Sequence, residues 1–126
     1  INQENFAAAI ALEDRVERYR SRNPYYLMQL SEEALLAGDY EESLRFLRSA
    51  INKKDDDHLL YFALAKAQYL SGAREDALRN VAHARELAPP NMAAYYNRPL
   101  HELVAEAMEA SRAEARAADG VGHSLD

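Results

Sequence analysis

Apolar residues recur at steps of three and four positions along most of the chain, and this spacing places them on one face of an α-helix. One such stripe runs from Tyr25 to Ala37, and a second runs from Leu44 to Ile51. Gly38 separates the two stripes, and glycine ends a helix at little cost because it adopts the left-handed conformation without strain. Asp39 follows as a good N-cap residue. The pattern therefore predicts two helices joined by a tight turn.

The same plan repeats after 34 residues. Gly38 falls on Gly72 at this step, and the second unit again contains two predicted helices, His58 to Leu70 and Glu75 to Leu87. A chance repeat would not hold glycines, small residues and leucines in register together, so we interpret the chain as a tandem repeat. Further identities at this step pair Leu30 with Leu64, Leu36 with Leu70, Glu41 with Glu75, Leu44 with Leu78, Arg45 with Arg79 and Ala50 with Ala84.

Composition narrows the fold and excludes several classes of function. The chain of 126 residues has the size of one domain, and four Gly and four Pro among abundant Ala, Leu, Glu and Arg are typical of an all-α protein. Without Cys the chain forms no disulfide, thiolate zinc site or cysteine nucleophile. The net charge of -6 argues against sequence-independent nucleic-acid binding. No apolar run reaches the roughly 18 residues of a membrane span, so we expect no membrane insertion.

The repeat resembles the tetratricopeptide repeat (TPR) family over 23–90. It departs from the family pattern at Ser43, where Ala is usual, at Asp55, where Pro is usual, and at Arg74, where Tyr is usual. The resemblance implies antiparallel helix pairs stacked into a right-handed superhelix, an all-α solenoid in which the first helix of each pair lines a concave groove. The residues that carry it are the string from Gly38 to Leu44, Leu47, Ala50, Gly72, Ala77, Ala84 and Pro89.

The N-terminal segment follows the same step, since Ile10 falls on Leu44. We therefore expect 1–23 to be the second helix of a truncated preceding repeat, packed against the next unit; an unrelated capping helix is the alternative. Because the chain begins with Ile1 rather than Met, we expect a C-terminal fragment of a larger TPR-containing protein. Its targeting signal would lie upstream, and a cytoplasmic location is slightly favoured.

The remaining boundaries follow from the same register. We expect full repeats over 24–57 and 58–91, a long capping helix over 92–117 and a disordered tail over 118–126. The capping helix carries one apolar stripe opposite a polar face, as the end of a repeat array requires. Pro99 either kinks this helix or starts a separate one.

Aromatic residues concentrate on the first helix of each unit, which would face the groove. About half of them are expected to be interhelix core, and the rest leave a mainly apolar surface. Glu32 and Lys66 are one repeat step apart, so we expect a charge pair between neighbouring units. The groove candidates are Tyr25, Met28, Glu32, Leu35, Phe62, Lys66, Tyr69, Tyr96 and Leu103.

These features favour a non-enzymatic protein–protein interaction module that presents its groove to a helix or an extended peptide. The partner would be another protein or another region of the parent chain. The groove does not suit the TPR subgroup that binds a C-terminal carboxylate, because among basic residues it offers only Lys66. The alternative is a structural end-cap of a longer array, which packs against another domain and binds nothing in the groove.

Candidate chemical sites are weak. His101-Glu102 begins like a zinc-protease helix, but Ala105 stands where the second histidine ligand is needed. The run 55–57 of three aspartates lacks the alternating ligands, glycine and terminal Glu of an EF-hand loop, so we expect a solvated turn with one Asp as N-cap. We therefore expect no enzyme, no metal and no cofactor.

The N-terminal helix carries a second candidate surface. Its first-helix partner is missing, so Ala8, Ala11 and Leu12 are expected to lie in an exposed apolar strip. Two copies of the chain could cover this strip about a two-fold axis. Since alanines keep the strip shallow, we expect a weak homodimer through the N-terminal half repeat.

Overall fold

The computed structural model describes the backbone of residues 3–20 and 22–124, without the side chains of 3, 4, 6, 17 and 120–124. This part of the chain is all-α, 86% helical, and contains seven α-helices and a short 3-10 helix, η1. The elements are α1 Gln3–Arg20, α2 Pro24–Leu36, α3 Tyr40–Lys53, α4 His58–Leu70, α5 Arg74–Leu87, α6 Pro90–Ala93, η1 Ala94–Asn97 and α7 Leu100–Ser124.

The repeat of the sequence is also a repeat of the structure. Helices α2 and α4 each contain 13 residues and begin 34 residues apart, and α3 and α5 each contain 14 residues with the same offset. Helix α2 packs mainly on α3, α4 packs on α5, and α3 joins the two pairs by packing on α4. The expected helix pairs are confirmed, whereas their superhelical stacking stays a prediction.

Both predicted turns have the expected geometry. Gly38 has a φ of +82° and Gly72 a φ of +94°, a region that other residues enter only with strain. No atom lies within 4 Å of where a Cβ would be at either glycine, so backbone conformation rather than crowding favours glycine there. The Gly38 amide donates to the Leu35 carbonyl at 3.0 Å and the Asp39 amide to the Ala34 carbonyl at 2.9 Å. These bonds satisfy carbonyls that the end of α2 leaves unpaired.

Polar side chains begin the helices of both units. Asn23 Oδ1 accepts a bond of 2.9 Å from the Tyr25 amide, and Asp57, one repeat later, accepts 2.8 Å from the Leu59 amide. The last of the three aspartates is therefore an N-cap, as predicted. Asp39 caps α3 through the Glu42 amide at 3.2 Å, whereas its equivalent Ala73 offers no side-chain cap to α5.

The core of the two units lies at equivalent positions of α3 and α5. Leu47 and Val81 are 1% and 7% exposed, and the small residues on either side of them are fully buried. Ser43 is the only polar residue at these buried positions of α3 and α5, and its Oγ has no hydrogen-bond partner in the described part of the chain. The equivalent buried residues are Ser43 and Ala77, Leu47 and Val81, and Ala50 and Ala84.

Helix α1 forms as predicted but does not pack as predicted. Every α1 side chain that the structure describes is exposed, including Ile10 and Val16, which we expected to lie against the next unit. The repeat register gives the reason, because Glu13 stands where α3 has Leu47 and α5 has Val81. A carboxylate at a fully buried position would lose its hydration without gaining a partner. The expectation that α1 packs as a repeat helix is therefore wrong.

The C-terminal boundaries also need correction. The long helix begins at Leu100 rather than at 92, because Arg98 is extended (ψ 156°) ahead of Pro99 and the preceding residues form α6 and η1. Pro99 thus starts a separate helix. Helix α7 is described as far as Ser124, whereas 118–126 was expected to be a disordered tail; that expectation stays a prediction, and 125–126 lie outside the described residues.

Candidate functional site

The surface that the sequence predicted to be an open groove is covered by the chain's own C-terminal helix. Helix α7 contacts α2, the first helix of the first unit. The apolar stripe of α7 is buried in one cluster with Leu35 and Phe62, which are both groove candidates. The buried residues of that stripe are Leu100, Leu103, Val104 and Met108.

A charge pair lies under α7. Lys66 Nζ donates to Glu32 Oε1, as the repeat spacing predicted, and Ser111 Oγ of α7 donates to Glu32 Oε2 at 3.1 Å. The Lys66 residue is only 7% exposed, and its ammonium also lies 5.8 Å from the centre of the Phe62 ring. Glu32 therefore links α2, α4 and α7 through one carboxylate.

An aromatic cluster anchors the chain just before α7. Tyr96, buried in η1, lies 5.5 Å from Phe62 and 5.3 Å from Tyr95 between ring centres, and its Oη is 2.6 Å from His58 Nδ1. Burial raises the pKa of Tyr96 to about 12, so the phenol keeps its proton at neutral pH. These contacts attach η1 to α4 and set the point from which α7 starts.

Arg98 connects this starting point to the outer face of α7. Its guanidinium makes a two-pronged contact with Glu106, at 2.6 and 2.8 Å, and reaches Glu102 at 3.5 Å. The hydrogen bond from Arg98 lowers the pKa of Glu106, and the same bond raises the pKa of Arg98. Both groups are in contact with solvent, so the pair orients the first two turns of α7 more than it stabilises the fold.

The other groove candidates are divided between the core and the surface. Tyr25 is exposed at the start of α2, and its hydroxyl donates to Asp57, which raises the pKa of Tyr25. Met28 and Tyr69 are partly buried and pack against the core cluster. Tyr25 is thus bonded to Asp57, the N-cap of α4, rather than to a group on α7.

Two of the candidates need a change of role. Leu103 was predicted to line the groove, but it lies on α7 and is fully buried against the other lining residues. Tyr96 was predicted at the groove wall and is instead buried in η1. Pro99 separates the two residues, because η1 ends before it and α7 begins after it, so Tyr96 and Leu103 do not share one helix.

Sequence reasoning found the apolar stripe of α7 but not the surface that it covers. Nothing in the sequence indicated the contacts of Ser111 with Glu32 and of Arg98 with Glu106. The partners lie 79 and 8 residues apart, and neither spacing is a repeat step or a helical step of three or four residues. The sequence indicated only that the apolar stripe from Leu100 to Met108 needs an apolar surface to pack against.

The N-terminal candidates lie on an exposed surface, as expected. Ala8, Ala11 and Leu12 are all exposed, Leu12 by 55%. Val16 and Tyr19 follow Leu12 at steps of four and three residues, so the three larger side chains share one side of α1. We call Ala8, Leu12, Val16 and Tyr19 the α1 strip.

Neither a metal site nor a membrane span is found in the described residues. No three His, Cys, Asp or Glu side chains within 3–20 and 22–124 are grouped so that they could hold an ion. In the same part of the chain, no helix combines the length and the apolar character needed to cross a bilayer.

The chain was compared with protein-family models, with curated proteins and with solved structures. No family model, no curated protein and no solved structure matches it. The described residues form an all-α domain of sequential helix pairs, in which a C-terminal helix packs on an apolar surface that includes the ion pair of Glu32 and Lys66.

Proposed function

We propose that this chain is a non-enzymatic protein–protein interaction module of the TPR type, whose α2 and α4 bind an amphipathic helix. The observation that carries the proposal is α7 itself, which lies on this surface with its apolar stripe buried and Ser111 bonded to Glu32. A surface that accepts one helix in this way has the shape and chemistry to accept a helix of a partner protein. The repeat of helix lengths and turn glycines supports the assignment to the TPR type.

The chemistry of the surface suits a helix better than an extended peptide. Its apolar residues accept side chains spaced by three and four positions, as Leu100, Leu103 and Val104 are. Glu32 on this surface accepts from a side chain of α7, whereas an extended peptide would also bring unpaired backbone groups into the apolar part. The partner is another protein or another region of the parent chain.

A structural end-cap is the second candidate, and the outer face of α7 favours it. Glu102, Glu106 and Glu109 are exposed on this face, so α7 presents a polar surface where it covers the repeats. On this alternative α7 is part of the core, and the covered surface never binds anything else.

The test cleaves the folded chain just before α7 and then separates α7 from the repeats. A specific protease site is inserted between Asn97 and Arg98 of the full chain, and the cleaved protein is resolved by chromatography into 1–97 and the α7 fragment. We expect 1–97 to keep its helical circular dichroism and a cooperative unfolding transition. Synthetic α7 should then rebind with a Kd of about 1–100 μM, because four buried apolar side chains offset the cost of association only partly.

Each outcome of this test decides between the two candidates. A fragment 1–97 that unfolds on separation would establish the end-cap function and contradict the proposal. A folded 1–97 that ignores 100 μM α7 peptide would contradict the proposal as well. An α7 peptide with Met108→Glu is the matched control, since a charge on the buried side should abolish binding.

We also propose that the exposed α1 strip supports weak self-association. Leu12, Val16 and Tyr19 offer apolar area, while Ala8 keeps the strip shallow. A helix of this kind buries too little surface for an obligate dimer. Association at high micromolar concentration is the expected result.

A further inference from the structure

Helix α7 packs on the repeats over 100–111 and is exposed over 112–119. The buried residues end at Met108, Ser111 is partly buried, and every residue over 112–119 is exposed. The segment 112–119 therefore adds little to the attachment of α7 to the repeats. Within the described residues, α7 is held by its four buried apolar side chains, by the partly buried Ala107 and by the hydrogen bond from Ser111 to Glu32. The contacts of Arg98 with Glu102 and Glu106 orient its first two turns.

The connection at Arg98 and Pro99 allows α7 to move away from the repeats as one intact helix. Arg98 is extended and Pro99 has no amide hydrogen to donate, so no helical hydrogen bond continues from η1 into α7. Helix α7 starts its own bonding pattern, since the amides of Glu102 and Leu103 both donate to the Pro99 carbonyl at 3.1 Å. Rotation at 98–99 would move α7 without breaking a bond within either helix.

The surface beneath α7 contains an ion pair as well as apolar side chains. Lys66 and Glu32 form an ion pair that loses hydration when α7 covers it, and such loss opposes much of the attraction within a buried pair. Once α7 leaves, water returns to both charges. Uncovering this surface is therefore less costly than uncovering an entirely apolar core of the same area.

We propose that α7 is a displaceable occupant of this surface, and that a helix of a partner protein with the same pattern replaces it. The pattern is apolar residues at relative positions 0, 3, 4 and 8 and a hydroxyl at position 11, as in α7 from Leu100 to Ser111. This inference rests on the proposed function, because it requires that α2 and α4 bind a helix at all.

The hydroxyl determines which helices fit. Glu32 Oε1 is engaged by Lys66, so Oε2 is the oxygen that remains for the incoming helix. A hydroxyl donates to this oxygen, whereas a carboxylate at the same place cannot donate and would bring a second negative charge beside Glu32. Partner helices with Asp or Glu at position 11 should therefore bind more weakly, which favours one register and one class of partner.

Competition with α7 determines the strength of binding. Only Arg98 and Pro99 connect α7 to η1, so the effective concentration of α7 at the surface of α2 and α4 is high. The uncovered surface is therefore a minor state of the intact chain. The apparent affinity for a partner helix falls by the fraction of chains in which α7 is released. Any change that loosens α7 should thus tighten binding of a partner.

The experiment uses the full chain and a fluorescein-labelled peptide of residues 99–117 as the probe. Fluorescence anisotropy compares the natural chain with Ser111→Asp and Met108→Ala chains, both of which loosen α7. We expect the peptide to bind these variants about tenfold more tightly than the natural chain. The matched control is Ala113→Asp, which adds the same charge on the exposed half of α7 and should leave the affinity unchanged.

A second peptide and a second readout complete the test. The Ser111→Asp peptide should bind the Met108→Ala chain about fivefold more weakly than the natural peptide, since the aspartate faces Glu32. In a chain labelled with ¹⁵N, amides of 100–111 should lose their native NMR positions as unlabelled peptide is added. Binding elsewhere would leave these signals in place.

The outcomes separate this inference from the proposed function. Folded Ser111→Asp and Met108→Ala chains that bind the peptide no better than the natural chain would overturn displacement, while rebinding of α7 by the cleaved fragment 1–97 would leave the proposed function intact. Equal binding of the natural and Ser111→Asp peptides would contradict the proposal that a hydroxyl at position 11 is recognised by Glu32. Sedimentation that shows the chain itself dimerising through exchanged α7 helices, in competition with the peptide, would identify a second copy as the occupant and overturn a separate partner.

Discussion

Helices α1 and α3 occupy the same register of the repeat but have opposite environments. One repeat step separates Ile10 from Leu44 and Val16 from Ala50, and both helices form over nearly the length that the pattern predicts. Yet α3 buries one side completely between α2 and α4, whereas every described side chain of α1 is exposed. Helix formation and helix packing thus depend on different residues.

A single position accounts for much of the difference. The central core position holds Leu47 in α3 and Val81 in α5, and both are buried, whereas α1 has Glu13 there. Glutamate is as good a helix former as leucine, so the substitution leaves α1 helical. It removes the apolar contact that would attach α1 to the neighbouring unit. Similarity in register therefore does not imply similarity in packing.

The largest expected effect comes from truncating this core position. Leu47→Ala should lower the free energy of unfolding by about 3 kcal/mol, because a fully buried leucine leaves a cavity. The equivalent change in α1, Glu13→Ala, should alter it by less than about 0.5 kcal/mol. Urea denaturation followed by circular dichroism measures both. Equal losses for the two variants would show that α1 packs on the body in solution.

An intermediate effect is expected at the preceding core position, where α3 has Ser43 and both other helices have alanine. Ser43→Ala should raise the free energy of unfolding by about 1 kcal/mol, because it removes a buried hydroxyl without a partner. Ser31→Ala is the matched control, since the buried Ser31 hydroxyl donates to the Met28 carbonyl at 2.5 Å and its loss should destabilise. Thermal melting of both variants gives the comparison, and a lower melting temperature for Ser43→Ala would contradict it.

The smallest effect on stability, and a decisive one on association, is expected on the α1 strip. Leu12→Glu should leave helicity and unfolding free energy within about 0.5 kcal/mol of the natural chain, since Leu12 is exposed. The same change should abolish self-association at high micromolar concentration. Analytical ultracentrifugation measures it, with Glu13→Gln on another side of α1 as the control. A natural chain that is monomeric across this range would refute association through α1.

Local features of the fold could be predicted from the sequence. Helix spans, the turns at Gly38 and Gly72 and the N-cap role of Asp57 all depend on residues within about one helical turn of each other. The repeat extended this to one longer contact, because equivalent positions on neighbouring units lie side by side. This is why the pair of Glu32 and Lys66 could be predicted although 34 residues separate them.

The all-α class, the helix pairs and the amphipathic stripe of α7 could thus be inferred from the residues alone. The position of α7 over α2 and the exposure of α1 could not, because they depend on contacts between distant parts of the chain. The bond between Ser111 and Glu32 joins residues 79 positions apart that no repeat step relates, and the break at Pro99 could send α7 in several directions. Helices form through local hydrogen bonds, but where a helix lies depends on which distant apolar surface it buries, and periodicity carries no information about that choice.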